Sequence, residues 1–139
     1  MAFRLVGGYP ENLAVSLPVT SATYTAGDVL VISGNGLAVA DNNATIHTIW
    51  GVAAETAASA VTVLKVIPIL PGQLWEADCE NDTHATNQLF ESGILTSTGQ
   101  KFDNTASDVT GPTGVFMPIA NVGVVGDKKV IGEFTRLQS

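Results

Sequence analysis

From Thr25 onward, short runs of Val, Ile, Leu and Thr alternate with turn-forming residues at short intervals. Turn signals include Gly34-Asn35-Gly36, Pro71-Gly72 and Gly126-Asp127. Short apolar strands separated by regularly spaced turns are typical of all-β sandwiches and barrels. The pattern therefore predicts a compact all-β fold, either a sandwich or a small barrel of short antiparallel strands, formed as a single domain by residues 25–139.

The first 24 residues do not continue this pattern. Gly7, Gly8, Pro10 and Pro18 interrupt the apolar stretches there, and no regular element fits them. They predict an extended N-terminal arm over residues 1–24.

One hairpin is predicted within residues 29–40. Asn35-Gly36 is the dipeptide most typical of a two-residue type I′ turn, which needs positive φ at both central positions. In this register Ile32 faces Val39.

A short helix and a final hairpin complete the predicted elements. Thr83–Ser92 has Asp82 as a possible N-cap and Gly93 as a stop, so it predicts a short helix of ten residues. The polar stretch Gly99–Gly114 predicts a loop. Two apolar segments within 115–137, joined around Gly126-Asp127-Lys128, predict the closing hairpin.

The run Val61–Leu70 is apolar on both faces of its predicted strand. Such a strand is either sandwiched between layers of protein or exposed to a partner chain. A turn at Pro71-Gly72 would pair Lys65 with Asp78 and Ile67 with Glu76 on the strand that follows. If the strand is instead exposed to a partner chain, the residues predicted to self-associate are Val63, Lys65, Ile67 and Ile69.

The number and distribution of charged residues exclude some classes of binding partner. Six Lys and Arg residues stand against thirteen Asp and Glu, giving a net charge of -7, and the six cations are scattered. Affinity for nucleic acid comes from clustered cations, so none is expected. No apolar run reaches the length of a membrane span, so no membrane partner is expected. The low charged fraction of 14% fits a surface covered by other chains, or an ordinary β domain with a neutral surface.

Candidate chemistry is sparse, and no catalytic, cofactor or metal site is predicted. The single Cys79 lies near His84 in sequence, but no third group marks a nucleophilic pair, and Cys79 is better explained as an inward-facing strand residue. Glu76, Asp78, Glu80 and Asp82 alternate, which would place carboxylates on one strand face. That face is either a solvated acidic surface or a calcium site, and the sequence favours the first.

The stretch Ala26–Ala77 contains three segments of one recognisable pattern, Gly27–Val31, Gly51–Ala57 and Val66–Ala77, and Gly123–Val130 adds a weaker one near the end. Together they resemble the small decoration, or cement, proteins on the heads of tailed bacteriophages. The resemblance is one of pattern and covers about half of the chain. It implies an all-β, often trimeric protein that binds the outer capsid surface and reaches onto coat protein with an N-terminal arm.

The expected function is therefore structural and not enzymatic. The resemblance implies that the major capsid protein is the partner, that the chain forms a homo-oligomer, with a trimer favoured, and that it resides on the outer surface of the virion. The alternative is a glycan-binding module of a tail fibre or adhesin, for which Trp50, Trp75, Tyr9 and Tyr24 would supply an aromatic platform. The arm residues expected to contact the coat by strand addition are Phe3, Arg4, Leu5, Val6 and Tyr9.

Overall fold

The computed structural model describes residues 2–8, 13–80, 89–96, 101–103, 111–124 and 126–136. The fold is all-β, as the sequence pattern predicts. The strands are β1 (Phe3–Gly7), β2 (Val15–Tyr24), β3 (Val29–Ser33), β4 (Gly36–Val39), β5 (Ile49–Ala53), β6 (Ala57–Pro68), β7 (Leu74–Asp78), β8 (Phe116–Val122) and β9 (Lys129–Phe134).

Strands β2 to β6 close into a five-stranded barrel in the order β2-β4-β3-β5-β6. Neighbouring strands are antiparallel, except that β2 and β4 run parallel and meet at Val19 and Leu37. Alternating large apolar side chains fill the barrel, because successive residues of a strand point to opposite faces. The interior residues are Val19, Tyr24, Leu30, Leu37, Ala53, Leu64 and Val66.

The remaining strands form an antiparallel sheet in the order β1-β7-β9-β8, which packs against one side of the barrel. Aromatic rings from this sheet form the centre of the shared core. Phe134 lies 5.0 Å from Phe116, 5.1 Å from Phe3 and 5.6 Å from Trp75, measured between ring centroids. The barrel contributes aliphatic residues to the same core, namely Val29, Ile49, Val52, Ile67 and Ile69.

The N-terminal segment is part of this fold. Phe3 and Leu5 of β1 pair with Ala77 and Trp75 of β7, and both side chains are buried. Residues 15–24 form β2 of the barrel. Because strands β1 and β2 both pair within the chain, the expectation of an arm left free for another protein is wrong for residues 3–7 and 15–24. The reason is that its alternating apolar residues already complete a sheet within the same chain.

The β3–β4 hairpin forms one residue earlier than predicted. Its turn is Gly34-Asn35, and Ile32 pairs with Leu37 and not with Val39. Gly34 has a φ of 58°, and Gly36 does not have a positive φ. Positive φ at the first central residue suits a type II′ turn, which matches strand twist as well as type I′ does. The predicted closing hairpin is confirmed by the pairing of β8 with β9.

Pro71-Gly72 forms a turn, but the strands on either side of it do not pair. β6 pairs with β2 and β5, whereas β7 pairs with β1 and β9. The predicted register that set Lys65 opposite Asp78 is therefore wrong. Gly72 has a φ of 84°, the conformation that a type II turn requires, and such turns splay flanking strands. The chain accordingly leaves the barrel here and enters the four-stranded sheet.

The predicted helix lies mostly outside the described residues. Its last residues, Leu89–Ser92, are in a turn and an irregular segment and are not helical. Among its described residues, the segment predicted as a polar loop contains the core residue Phe102, which is 1% exposed and forms β-bridges with Cys79 and Leu95. A single aromatic side chain is enough to anchor such a segment, because it buries a large apolar area.

Candidate interaction surface

An open apolar groove lies at the β3–β4 turn. Its volume is about 280 Å³. Pro18 and Ile32 on its wall are exposed, and Trp50 is half-buried. These residues come from β2, β3 and β5, so the closure of the barrel brings them together. The other lining residues are Leu17, Gly34, Asn35, Gly36 and Leu37.

Arg136 packs against Trp50, one of the residues that line this groove. Its guanidinium carbon lies 5.1 Å from the centroid of the Trp50 ring, within the range of a cation–π contact. The same side chain donates a hydrogen bond of 2.8 Å to the carbonyl oxygen of Ile69. Burial lowers the pKa of Arg136 from its usual value. The contact holds Trp50 in place and covers part of its ring.

The outer surface beside the groove carries little charge, and its charge-free part ends at the exposed Lys65, which pairs with Ser16 of β2. We call the paired segments Val15–Tyr24 of β2 and Ala57–Leu64 of β6 the β2–β6 ribbon; neither contains Asp, Glu, Lys or Arg. Pro18 and Val63 are cross-strand partners in the ribbon, and both are exposed. Pro18 also lines the groove, so the groove and the ribbon are continuous.

The four predicted self-association residues divide between two environments. Val63 is 57% exposed and Lys65 is also exposed, whereas Ile67 and Ile69 are 9% and 1% exposed. The four-stranded sheet covers only the end of β6, where Ile67 and, directly after the strand, Ile69 join the shared core. The sandwiched alternative is thus correct for the end of this strand, and only Val63 and Lys65 remain available to another chain.

The predicted coat-contact residues are likewise divided. Phe3 and Leu5 lie in the core, so their side chains are not available to a partner. Arg4 is exposed and pairs with Glu76 at 3.0 Å, and Val6 is 41% exposed. Tyr9 lies outside the described residues.

The alternating carboxylates of β7 are paired with cations. Arg4 contacts Glu76, and Lys129 contacts Asp78 at 2.6 Å. Glu80 is exposed, and Asp82 lies outside the described residues. Across the described ranges, no group of three or more His, Cys, Asp or Glu side chains is placed to hold a metal ion.

Cys79 faces inward, as predicted, but it lies directly after β7 and forms an isolated β-bridge with Phe102. It is 2% exposed, and burial, helped by the negative charge of Asp78, raises the pKa of its thiol to about 12. A thiol with this pKa is a poor nucleophile at neutral pH, since the thiolate is the reactive form. Its proposed neighbour His84 lies outside the described residues.

Sequence reasoning missed most of the groove. Ile32 and Pro18 belong to separate strands, and nothing local marks them as neighbours. Trp50 is half-buried and packs at the margin of the barrel core. It is the unpaired residue of a β-bulge, since Leu30 pairs with Gly51 and Val31 with Ile49. The one available signal was the absence of charge in 15–24 and 57–64.

In the described part of the chain, no helix is long and apolar enough to cross a membrane. No protein-family model matches the sequence, and no curated protein matches it.

Proposed function

We propose that the protein is a structural decoration protein that binds the outer surface of a phage head and stabilises the coat lattice through repeated protein–protein contacts. Its partner is the major capsid protein, and it acts as a homo-oligomer, with a trimer favoured. The resemblance of its strand and turn segments to phage cement proteins suggests this role. The observation that carries it is the charge-free β2–β6 ribbon, which is continuous with an apolar groove.

The ribbon supports contact with proteins because its composition differs from that of the whole chain. Copies of a chain with a net charge of -7 repel one another, and this repulsion is weakest where the facing surfaces lack acidic groups. The ribbon meets this condition over two long strands. Its exposed Val15, Pro18 and Val63 supply apolar area of the kind found at the centre of interfaces.

The buried N-terminal strand changes the expected mode of attachment. Because β1 already pairs with β7, the contact with the coat is assigned to the ribbon and the groove and not to strand addition by Phe3–Val6. Several weak contacts from one oligomer give a high overall affinity for a lattice that presents the same site many times. Binding to the mature lattice then stabilises it by mass action.

The test measures binding of the purified protein to heads of the parent phage that were assembled without it. Val63→Asp places a charge in the ribbon and should lower occupancy by about tenfold or more, because an unpaired charge is costly to desolvate. Val124→Asp is the matched control: Val124 is 70% exposed and lies in the β8–β9 connection, so its variant should bind like the wild type.

Two outcomes would overturn the proposal. Failure of the wild-type protein to sediment with the heads would show that it is not a decoration protein. Equal occupancy for the Val63→Asp and wild-type proteins would show that the ribbon does not contact the coat. Sedimentation of the protein alone determines whether it is a trimer.

The glycan-binding alternative has less support. Trp75 and Tyr24 are buried at 1% and 2% exposure, and Arg136 covers part of the Trp50 ring. Tyr9 lies outside the described residues. The described members of the expected platform therefore do not form an open aromatic surface on which a sugar ring would stack.

A further inference from the structure

A cavity of about 200 Å³ lies between the barrel and the four-stranded sheet. Phe3 and Trp75 line it from the sheet, and Val52 and Ile67 line it from the barrel. These four residues are at most 9% exposed. Lys65, an exposed residue of β6, also lines it. The cavity is partly open to solvent, and its apolar walls offer a small apolar molecule packing contacts that water does not make.

Trp75 provides a second, independent sign of an occupant. Its Nε1 atom is buried and has no hydrogen-bond partner in the described part of the chain. Buried N–H groups are almost always paired, and an indole N–H can only donate. The missing group is therefore a hydrogen-bond acceptor. Because Trp75 lines the cavity, a molecule bound there can supply that acceptor.

We propose that the cavity binds a small amphipathic carboxylate. Its apolar body packs against Phe3, Val52 and Ile67, and a carboxylate oxygen accepts the hydrogen bond from Trp75 Nε1. The ammonium group of Lys65 balances the negative charge. A dry apolar cavity of about 150 Å³ holds benzene, so this one suits a ligand of roughly six to eight carbon atoms. This binding activity is separate from the proposed decoration role and does not depend on it.

The probe is hexanoate. Its binding is measured by nuclear magnetic resonance of the two indole N–H groups in the full-length chain labelled with nitrogen-15. The chain has two tryptophans, Trp50 and Trp75, and loss of one signal in Trp75→Phe assigns both. Hexanoate should shift the Trp75 signal saturably, with a Kd of about 1 mM or lower. Acetate, which lacks the apolar body, should leave it unchanged.

A charge variant tests the position of the head group. Lys65→Met should keep the fold, because the hydrogen bond from Lys65 to Glu55 uses the backbone N–H and not the ammonium. It should weaken hexanoate binding by about threefold to tenfold, as expected for loss of a partly exposed charge partner, and leave binding of the uncharged 1-hexanol unchanged.

Three results would overturn the proposal. An unchanged Trp75 signal at about 10 mM hexanoate would indicate a cavity that holds water alone. A saturable shift of the Trp50 signal instead would place the ligand in the groove. Equal weakening of hexanoate and 1-hexanol binding by Lys65→Met would exclude the carboxylate as the group that is recognised.

Discussion

Lys129 donates a hydrogen bond to Asp78 across directly paired positions of β9 and β7, with 2.6 Å between Nζ and Oδ1. This hydrogen bond is the main reason that the pKa of Lys129 is raised above its usual value. A lysine with a raised pKa in the folded state contributes stability that is fully present below its unfolded pKa. That stability is lost as the pH rises through the folded pKa.

We predict a small coupling between these two residues. Both side chains are partly exposed, so a double-mutant cycle with Asp78→Asn and Lys129→Met should give about 0.2–1 kcal/mol at pH 7. Urea denaturation of the four proteins measures it. The coupling should decrease above pH 10.5, the ordinary pKa of lysine. A coupling that grew with pH would contradict the assignment.

We predict that the Cys79 thiol is inert in the folded protein. Its pKa of about 12, against an ordinary value of 9.0, lowers the thiolate fraction at pH 8 by about a thousandfold, and burial also blocks access. Labelling with a disulfide reagent should be fast only after unfolding. Ile32→Cys, at a position that is 50% exposed, supplies a reactive control thiol. Equal labelling rates for Cys79 and the control thiol would disprove the prediction.

The same pKa shift has a consequence for stability at high pH. Between pH 9.0 and about 12 the unfolded chain loses the thiol proton and the folded chain keeps it. The free energy of unfolding should therefore fall with rising pH in this window. Cys79→Ala should remove that part of the pH dependence, as measured by urea denaturation at pH 8 and pH 10. An unchanged slope would show that other groups cause it.

We predict that Phe3→Ala destabilises the fold by about 3–5 kcal/mol, the usual range for truncating a buried Phe. Phe3 is 0% exposed, and its ring contacts Phe116 and Phe134. The control is Val6→Ala in the same strand, where the side chain is 41% exposed and the loss should stay below about 1 kcal/mol. Similar stabilities for the two variants would contradict the packing of β1 and support the hypothesis of a free N-terminal arm.

We predict that Gly51→Ala destabilises the barrel by about 1–3 kcal/mol through crowding. An added Cβ would lie 2.5 Å from Val66 Cγ1 and 2.8 Å from the carbonyl oxygen of Ile67. The backbone of β6 has little room to retreat, because it pairs with strands on both sides at this point. Gly111→Ala is the control, since its Cβ would meet nothing within 4 Å. Equal thermal midpoints would contradict the prediction.

Local features of the fold were predictable from the sequence, and pairings between distant segments were not. The β8–β9 hairpin and the inward orientation of Cys79 follow from neighbouring residues. The pairing of Phe3 with Ala77 joins segments that are far apart in the chain, and no local pattern selects that partner. The hairpin at Gly34-Asn35 was misplaced by one residue because the sequence offers glycine on both sides of Asn35.

The surface was harder to predict than the fold. Val63 and Ile67 have similar side chains on one strand and point the same way by alternation. Only Ile67 is buried, because the four-stranded sheet covers one end of β6 and leaves the other bare. Which end of β6 is covered depends on the direction that the chain takes after Pro71-Gly72. The alternation of apolar and polar residues does not predict that direction.

The barrel is built from one continuous segment, 15–68, whereas the four-stranded sheet combines strands from both ends of the chain. The ribosome therefore releases every barrel strand before the last sheet strand exists. We expect the barrel to fold first and the four-stranded sheet to form on it only after β9 has been synthesised. The same order is expected when the complete chain refolds, because the barrel contacts join segments that are closer together in sequence. Pulse-labelled hydrogen exchange would show it as earlier protection of Leu64 than of Val130, and simultaneous protection would refute it.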